Sequence, residues 1–386
     1  HPATPARSPA QRADDSAGAI AALRGSRFDD AAREATTVLA RDPGNAQAAA
    51  VRAIATYEQG GSALVEELGA VLDQGESFKA LDHERGRAAW QAFLDRLDAV
   101  DRDLAVVAAD PDFSLELCLA CWERDWNHSG HIDDRDRRLF EIEYDGAGHE
   151  LPDGDARRRP TFRFDVGDAD WARAMVAFQR AFVEIVLAYR WSELDRMFGS
   201  ADSLTIRLAD AGRVQRARTL VLAGLGFADR ARQAYLAETD DDREWVPSPR
   251  QKSHPLPLAV DEALYRTWED VLGDVRALMR GDTGLSVAAL AQLGDRRWDN
   301  PPRGYLDIGR MLSDPKDIVF DFAILKRVVH SHPETVEAAL RSLFGSSYVA
   351  DKKPSGLLGR LGRMKKEIDG NQDTFGRKLR YFLWLN

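Results

Sequence analysis

Apolar residues return every three or four positions along most of this 386-residue chain, and that period fits a helix and not a strand. It is clearest between His83 and Ala109, where Ala89, Phe93, Leu94, Leu97, Val100, Leu104 and Val107 fall on one face. It recurs from Trp171 to Tyr189 and from Asp261 to Arg280, the latter followed by Gly281 as a helix stop. The fold class expected is all-α: an irregular array or bundle of helices. Two stretches are expected to be strict helices on weaker patterns, Ala201 to Asp210 and Asp317 to Val329. One short alternating piece, Thr161 to Val166, is expected to be extended.

Punctuation divides the chain into five segments. Residues 1–17 are rich in Pro, Ala, Ser and Arg with no apolar period, and are expected to form a disordered leader. Residues 18–75 form a helical segment, and residues 76–239 a second helical domain. Residues 240–258 carry Pro247, Pro249, Pro255 and Pro257 and read as a stiff linker or loop. It is either a strap packed through Trp245 or a partner-binding loop offering Trp245, Arg250, Lys252 and His254. Residues 259–386 form a C-terminal helical domain with a basic tail from Lys352 onward.

Within residues 18–75, Phe28, Ala31 and Pro43 stand at the spacing of an aromatic, a small residue and a helix-ending proline. The segment resembles a tetratricopeptide repeat over about one and a half units. The resemblance implies helical hairpins, with Ala46 to Gln59 and Ala63 to Leu72 as consecutive antiparallel helices. It also implies a surface for protein partners.

The run Asp125-Trp126-Asn127-His128-Ser129-Gly130-His131-Ile132-Asp133-Asp134-Arg135-Asp136 places oxygen-bearing residues at alternate positions around a glycine. It resembles the calcium loop of an EF-hand, whose ligands come from loop positions 1, 3, 5, 7, 9 and 12, with glycine at 6. The resemblance implies metal ligands at Asp125, Asn127, Ser129, His131 (through its carbonyl), Asp133 and Asp136. It implies an entering helix over Ser114–Arg124 and an exiting helix over Asp133–Tyr144, with Ile132 packed beneath the loop. The pattern departs from the family in three places. Asp136 is one methylene shorter than the usual Glu, Trp126 is bulky, and Arg137 replaces an apolar residue. Ca²⁺ is the cofactor expected, with Mg²⁺ as a competitor, and the affinity expected is on the order of 10⁻⁴ M. The bland alternative is a turn whose Asp and Ser side chains merely cap backbone N–H groups.

Cys118 and Cys121 are the only cysteines. With His128 and His131 they superficially suit zinc, but the gap between the pairs is short. A redox Cys-x-x-Cys lacks its usual βαβ surroundings. We expect two small apolar residues on the buried face of the entering helix.

A net charge of −10 argues against nucleic-acid binding. No nucleophile–base motif and no phosphate loop occurs, so contact rather than catalysis is expected. The function expected is a calcium-binding helical scaffold acting on a protein partner. Arg heavily outnumbers Lys, as in GC-rich bacterial genes. A weak calcium site suits a periplasmic or secreted protein, although a cytoplasmic one remains compatible. Two alternatives stay open. One is a metal-dependent enzyme drawing on His149, Glu150 and the Asp240 loop. The other is a membrane-peripheral protein using the basic tail on an anionic surface.

Overall fold

The computed structural model describes residues 9–73, 81–126, 129–145, 147–192, 203–239, 243–251, 254–256, 260–293, 303–321 and 333–370. Those residues are mostly helical, with a few small antiparallel sheets.

Three helices open the chain: α1 (Pro9–Arg24), α2 (Phe28–Arg41) and α3 (Ala46–Asp73). Residues 9–17, expected to belong to a disordered leader, form the first half of α1. Ser16 explains why. It is fully buried and donates to Asn45 Oδ1 at 3.0 Å, while Asn45 also takes the Ala48 N–H at the start of α3. Small residues let the three helices close on one another, with Ala22, Ala31, Ala35, Ala48 and Ala49 all without exposure. The break expected between Gln59 and Ala63 does not form, and α3 is continuous through Gly60-Gly61. A side chain at Gly60 would press on Arg96 and Phe93, so this glycine serves a close helix–helix approach and not a turn.

Helix α4 (His83–Ala108) packs on α3, the long central helix α6 (Val166–Ala188) packs on α4, and α7 (Ala211–Ala237) packs on α6. Arg–carboxylate pairs cross each seam. Arg52 on α3 grips buried Asp103 on α4 through two bonds, at 2.8 and 2.5 Å. Arg173 and Arg180 on α6 reach Asp101 on α4 at 3.1 and 3.0 Å. Arg213 and Arg216 on α7 hold buried Glu184 on α6 at 2.9 and 3.0 Å. Gly224 lets α7 approach the ring of Phe178 on α6. Phe182, expected in the core, is exposed and only its edge meets Trp90.

Three small sheets interrupt the helices. Strand β1 (Leu115–Leu117) pairs antiparallel with β2 (Phe162–Phe164), matching Leu115 with Phe164 and Leu117 with Phe162. The extended piece expected at 161–166 is therefore β2. Strands β3 (Tyr189–Arg190), β4 (Ser203–Leu208) and, later in the chain, β7 (Ile318–Asp321) make a second sheet. The helices expected over 201–210 and from 317 onward are thus corrected: what is described of them is strand. Leu204 and Ile206 point into a cluster with Tyr189 and Val214, the period of two that a half-buried strand requires. Residues 322–329 lie outside the described residues.

The C-terminal part comprises α8 (Glu262–Arg280), α9 (Val287–Leu293), α10 (Ile308–Ser313), α11 (Pro333–Phe344) and α12 (Leu357–Gly370), with the sheet β5 (Leu285–Ser286), β6 (Tyr305–Leu306) and β8 (Tyr348–Val349). At the start of the basic tail, Arg360 turns back to Asp274 and Asp270 of α8, at 2.9 and 2.8 Å, and Lys352 pairs with buried Asp307. No described helix is long and apolar enough to cross a membrane.

The segment after α7 runs through the interior as a strap. Trp245 is buried edge-on against Phe162, with ring centroids 4.7 Å apart, and packs beside Phe164. Pro247 offers its carbonyl to the Tyr265 hydroxyl at 3.0 Å, and Leu256 is fully buried. Trp245 is therefore committed to the core rather than presented to a partner. Asp240 to Asp242 and Lys252 lie outside the described residues.

Candidate functional site

Between β1 and β2 the chain makes a long excursion whose first half carries the oxygen-rich loop. No helix leads into it. Ser114–Arg124, expected to be the entering helix, holds β1, a short 3-10 turn over Leu119–Cys121 and an extended run to Arg124. Cys118 and Cys121 are joined by a disulfide across that turn, not two packed thiols. Cys121 is exposed and Cys118 half-buried. The expectation failed because it assumed a helix; in the tighter turn the two sulfurs face each other.

Trp122 follows the disulfide and is buried. Its ring meets the Phe28 edge at 5.4 Å and stacks on Trp126 at 6.5 Å with 25° between planes. Trp126 also takes the edge of Phe140 at 5.3 Å. The Arg124 guanidinium lies 4.7 Å from the Trp126 ring centre and 5.3 Å from that of Phe28, and pairs with Glu58 on α3. The unusual bulk of Trp126 thus docks the loop onto the helices.

The loop itself is closed by its own carboxylates. Asp125 Oδ1 accepts the Ser129 N–H at 2.9 Å and its Oδ2 accepts the Gly130 N–H at 2.6 Å. Gly130 has φ of +89°, a conformation other residues rarely adopt. Ser129 Oγ donates to the His131 carbonyl at 2.9 Å. Asp136, 3% exposed, accepts the Trp126 N–H at 2.8 Å on one oxygen and the Asp133 N–H at 2.9 Å on the other, so it ties both ends of the loop together. Asp133 caps α5 (Asp134–Arg138) by accepting from Arg135 and Asp136 at 2.7 and 3.2 Å. Asn127 lies outside the described residues.

The flanks correct the expected helix–loop–helix. The exiting helix is α5 alone, five residues and not twelve. Ile132 is 36% exposed and does not pack beneath the loop, and Leu139 points out while Ile142 points in. The resemblance is confined to the loop.

A carboxylate oxygen has two lone-pair directions, so an oxygen that accepts one N–H retains a second for a cation. The residues therefore have the chemistry for a hard divalent ion. Among the described residues, however, no three His, Cys, Asp or Glu side chains converge as a metal cluster. Asp125, Asp133 and Asp136 are each first of all capping groups.

Past the loop, a buried charge cluster fixes the return of the chain. Glu141 accepts from Arg158 at 2.9 and 3.2 Å and from Arg159 at 2.9 Å, and Arg158 also donates to the Leu151 carbonyl at 3.0 Å. Burial alone would raise the Glu141 carboxyl, but the two guanidinium groups hold it below its ordinary value. His149, weighed as a catalytic group, is exposed on the turn between Tyr144 and Glu150 and meets only the Asp145 carboxylate, 3.3 Å away. The Asp145 carboxyl is lowered, chiefly by the backbone N–H of His149.

The sequence offers Asp168 or Asp170 as the cap of the helix that follows, and the structure gives Asp168 a different place. It sits in the first turn of α6, where Asp165 is the cap and the two form a reciprocal capping box. Asp168 accepts from the Tyr235 hydroxyl at 2.8 Å and from the Asp165 N–H at 2.9 Å. Burial, then the neighbouring Asp165 charge, pushes its carboxyl well up. Burial, then the nearby Asp168 charge, likewise pushes the Tyr235 and Tyr265 hydroxyls up. The spacing of Asp165 and Asp168 announces a capping box, but its burial depends on Tyr235, far along the chain.

No known family model matches this chain, and no curated protein or solved structure is significantly similar to it.

Proposed function

We propose that this protein is a calcium-responsive helical scaffold, with the 125–136 loop as its cation site and a protein as its partner. The observation that carries the reading is the closed turn from Asp125 to Gly130. Both Asp125 oxygens are already aimed inward by backbone N–H groups, and the left-handed glycine stands where a calcium loop needs its sharp bend. Asp125, Asn127, Ser129, the His131 carbonyl, Asp133 and Asp136 are the ligands, and Mg²⁺ is the competing ion. Binding requires the Asp136 end of the loop to draw in toward Asp125. A hard cation would reward that movement by gathering oxygens that do not converge without it.

The N-terminal helices support the scaffold half of the reading. Ala31 is fully buried where the tetratricopeptide pattern needs a small residue, and stacked antiparallel helices of this kind present an extended face to partners. The disulfide supports an oxidising, extracytoplasmic setting, where such bonds persist and calcium is plentiful.

The test is thermal melting with 1 mM calcium against chelator. At an affinity on the order of 10⁻⁴ M, calcium should stabilise the fold by roughly 1.4 kcal/mol. That raises the melting temperature of a chain this size by about 2 °C. Asp125→Ala should abolish the shift. A wild-type protein that melts identically with and without calcium would overturn the proposal.

A further inference from the structure

A cavity of about 340 Å³ lies where α3, α4, the disulfide turn, the oxygen-rich loop and α6 meet. At about 30 Å³ per water it has room for roughly eleven waters, or for an organic molecule of about that many heavy atoms. Ligand sites begin at about this size and combine apolar walls with a few placed polar groups.

The wall is unusually aromatic, with Trp122, Trp126, Phe140, Trp171 and Tyr57 among its side chains. No Lys or Arg lines it. Its three acidic residues are already engaged: Glu58 by Arg124, Asp165 by the Gly167 N–H, and Asp168 by Tyr235 and the Asp165 N–H. Arg124, the cation beside the wall, is already held by Glu58, so an anion entering here would meet carboxylates without a free cation among the described residues of the wall.

Among the described residues, two polar atoms on the lining side chains have no partner. Trp122 is 7% exposed, and its Nε1–H is buried without an acceptor. Gln179 donates to the Tyr57 hydroxyl at 2.8 Å, but its Oε1 is buried and accepts nothing. A buried donor and a buried acceptor left open each disfavour the empty cavity. Both belong to one cavity, so one occupant with complementary groups can relieve both. Trp126 and Phe140 are half-buried, so part of the wall borders solvent.

We propose that this cavity binds a small, uncharged aromatic molecule with a hydroxyl that accepts from Trp122 Nε1–H, leaving Gln179 Oε1 open to a donor elsewhere on a larger occupant. Its ring packs against the indoles, and its hydroxyl replaces a hydrogen bond the protein does not make for itself. This binding does not rest on the calcium reading, because neither Trp122 nor Gln179 belongs to the 125–136 loop.

Titration calorimetry with 1-naphthol, in the presence of chelator, tests it. The expected result is saturable one-to-one binding with Kd on the order of 10⁻⁵–10⁻⁴ M. The carboxylate analogue 1-naphthoate should bind at least tenfold more weakly. Trp122→Phe keeps an aromatic wall and removes the donor, and should weaken 1-naphthol at least fivefold. Ala172→Phe fills the space and should abolish binding, with far-UV circular dichroism reporting whether the fold survives. Absence of binding at 1 mM would overturn the proposal. So would equal affinity for 1-naphthoate, or undiminished binding in either folded variant. Running the same titration with calcium added separates a failure here from a failure of the cation site.

Discussion

Glu141 shows what a single buried charge does in this molecule. Its carboxylate is 6% exposed and Arg158 is 5% exposed, so neither has bulk water to fall back on. Glu141→Ala leaves the Arg158 guanidinium with the Leu151 carbonyl and the exposed carboxylate of Asp153, and removing one partner of a buried pair typically costs about 3–5 kcal/mol, so a loss at the low end is expected. Urea denaturation should show a loss of that order. Because the folded Glu141 carboxyl is lowered, its contribution is present above its unfolded value of about 4.3 and is lost as pH falls through the folded value. Asp168 has the opposite sign. Its carboxyl is raised, so the stability it lends is full below about pH 4 and is lost as pH rises toward the folded value. Asp168→Asn forfeits the bond from the Asp165 N–H, yet its stability should fall less between pH 5 and pH 8 than that of the parent. Equal slopes would mean that Asp168 is not the group responsible.

Among elements, the long helices were legible because their stripes are long. Over His83–Ala109 or Asp261–Arg280 the period of three to four repeats often enough to exclude a strand. The errors lie where signals are short or depend on distant partners. Ser203–Leu208 alternates correctly for a strand, but six residues cannot outweigh a helical neighbourhood without knowledge of β7. Gly60-Gly61 looked like a turn because a glycine made for close packing is locally the same as one made for bending. The oxygen-rich loop was legible as a turn closed by carboxylates, whereas its flanking helices were borrowed from the family pattern: the entering one does not form and the exiting one is cut to α5. The disulfide spans a very short ring, so by loop-closure entropy its reduction should cost only about 2 kcal/mol. Denaturation of Cys118→Ser/Cys121→Ser should register that modest loss while far-UV circular dichroism stays unchanged. For α6 against α7, Gly224→Ala gains about 1 kcal/mol of helix propensity. The added methyl would stand 2.6 Å from the Phe178 ring, and overpacking of this kind costs about 1–3 kcal/mol. A net loss of about 1 kcal/mol is expected; a gain would mean that Phe178 swings aside freely.

Across the whole molecule, the strap joins parts that sequence divides. Trp245 shares a cluster with Ile142 and Phe162 from the excursion, Tyr235 from α7 and Tyr265 from α8. Removing so large a buried ring should cost about 3–5 kcal/mol. Trp245→Ala should therefore lower the melting of the whole described body in one transition rather than release a single segment. A strap packed through Trp245 was one of the two readings the sequence allows, but its neighbours decide between them, and those come from distant parts of the chain.

The seams between α3, α4, α6 and α7 share a further property. Every cross-helix pair named above sets a guanidinium against a carboxylate, and Arg52 and Arg216 have their affinity for protons raised further by those contacts. Guanidinium keeps its charge through any alkaline condition a cell meets, while carboxylates as a class give theirs up in acid. The molecule is therefore lopsided in what it tolerates. Surroundings that turn basic leave the rivets between its rods untouched, whereas surroundings that sour work on all of them together.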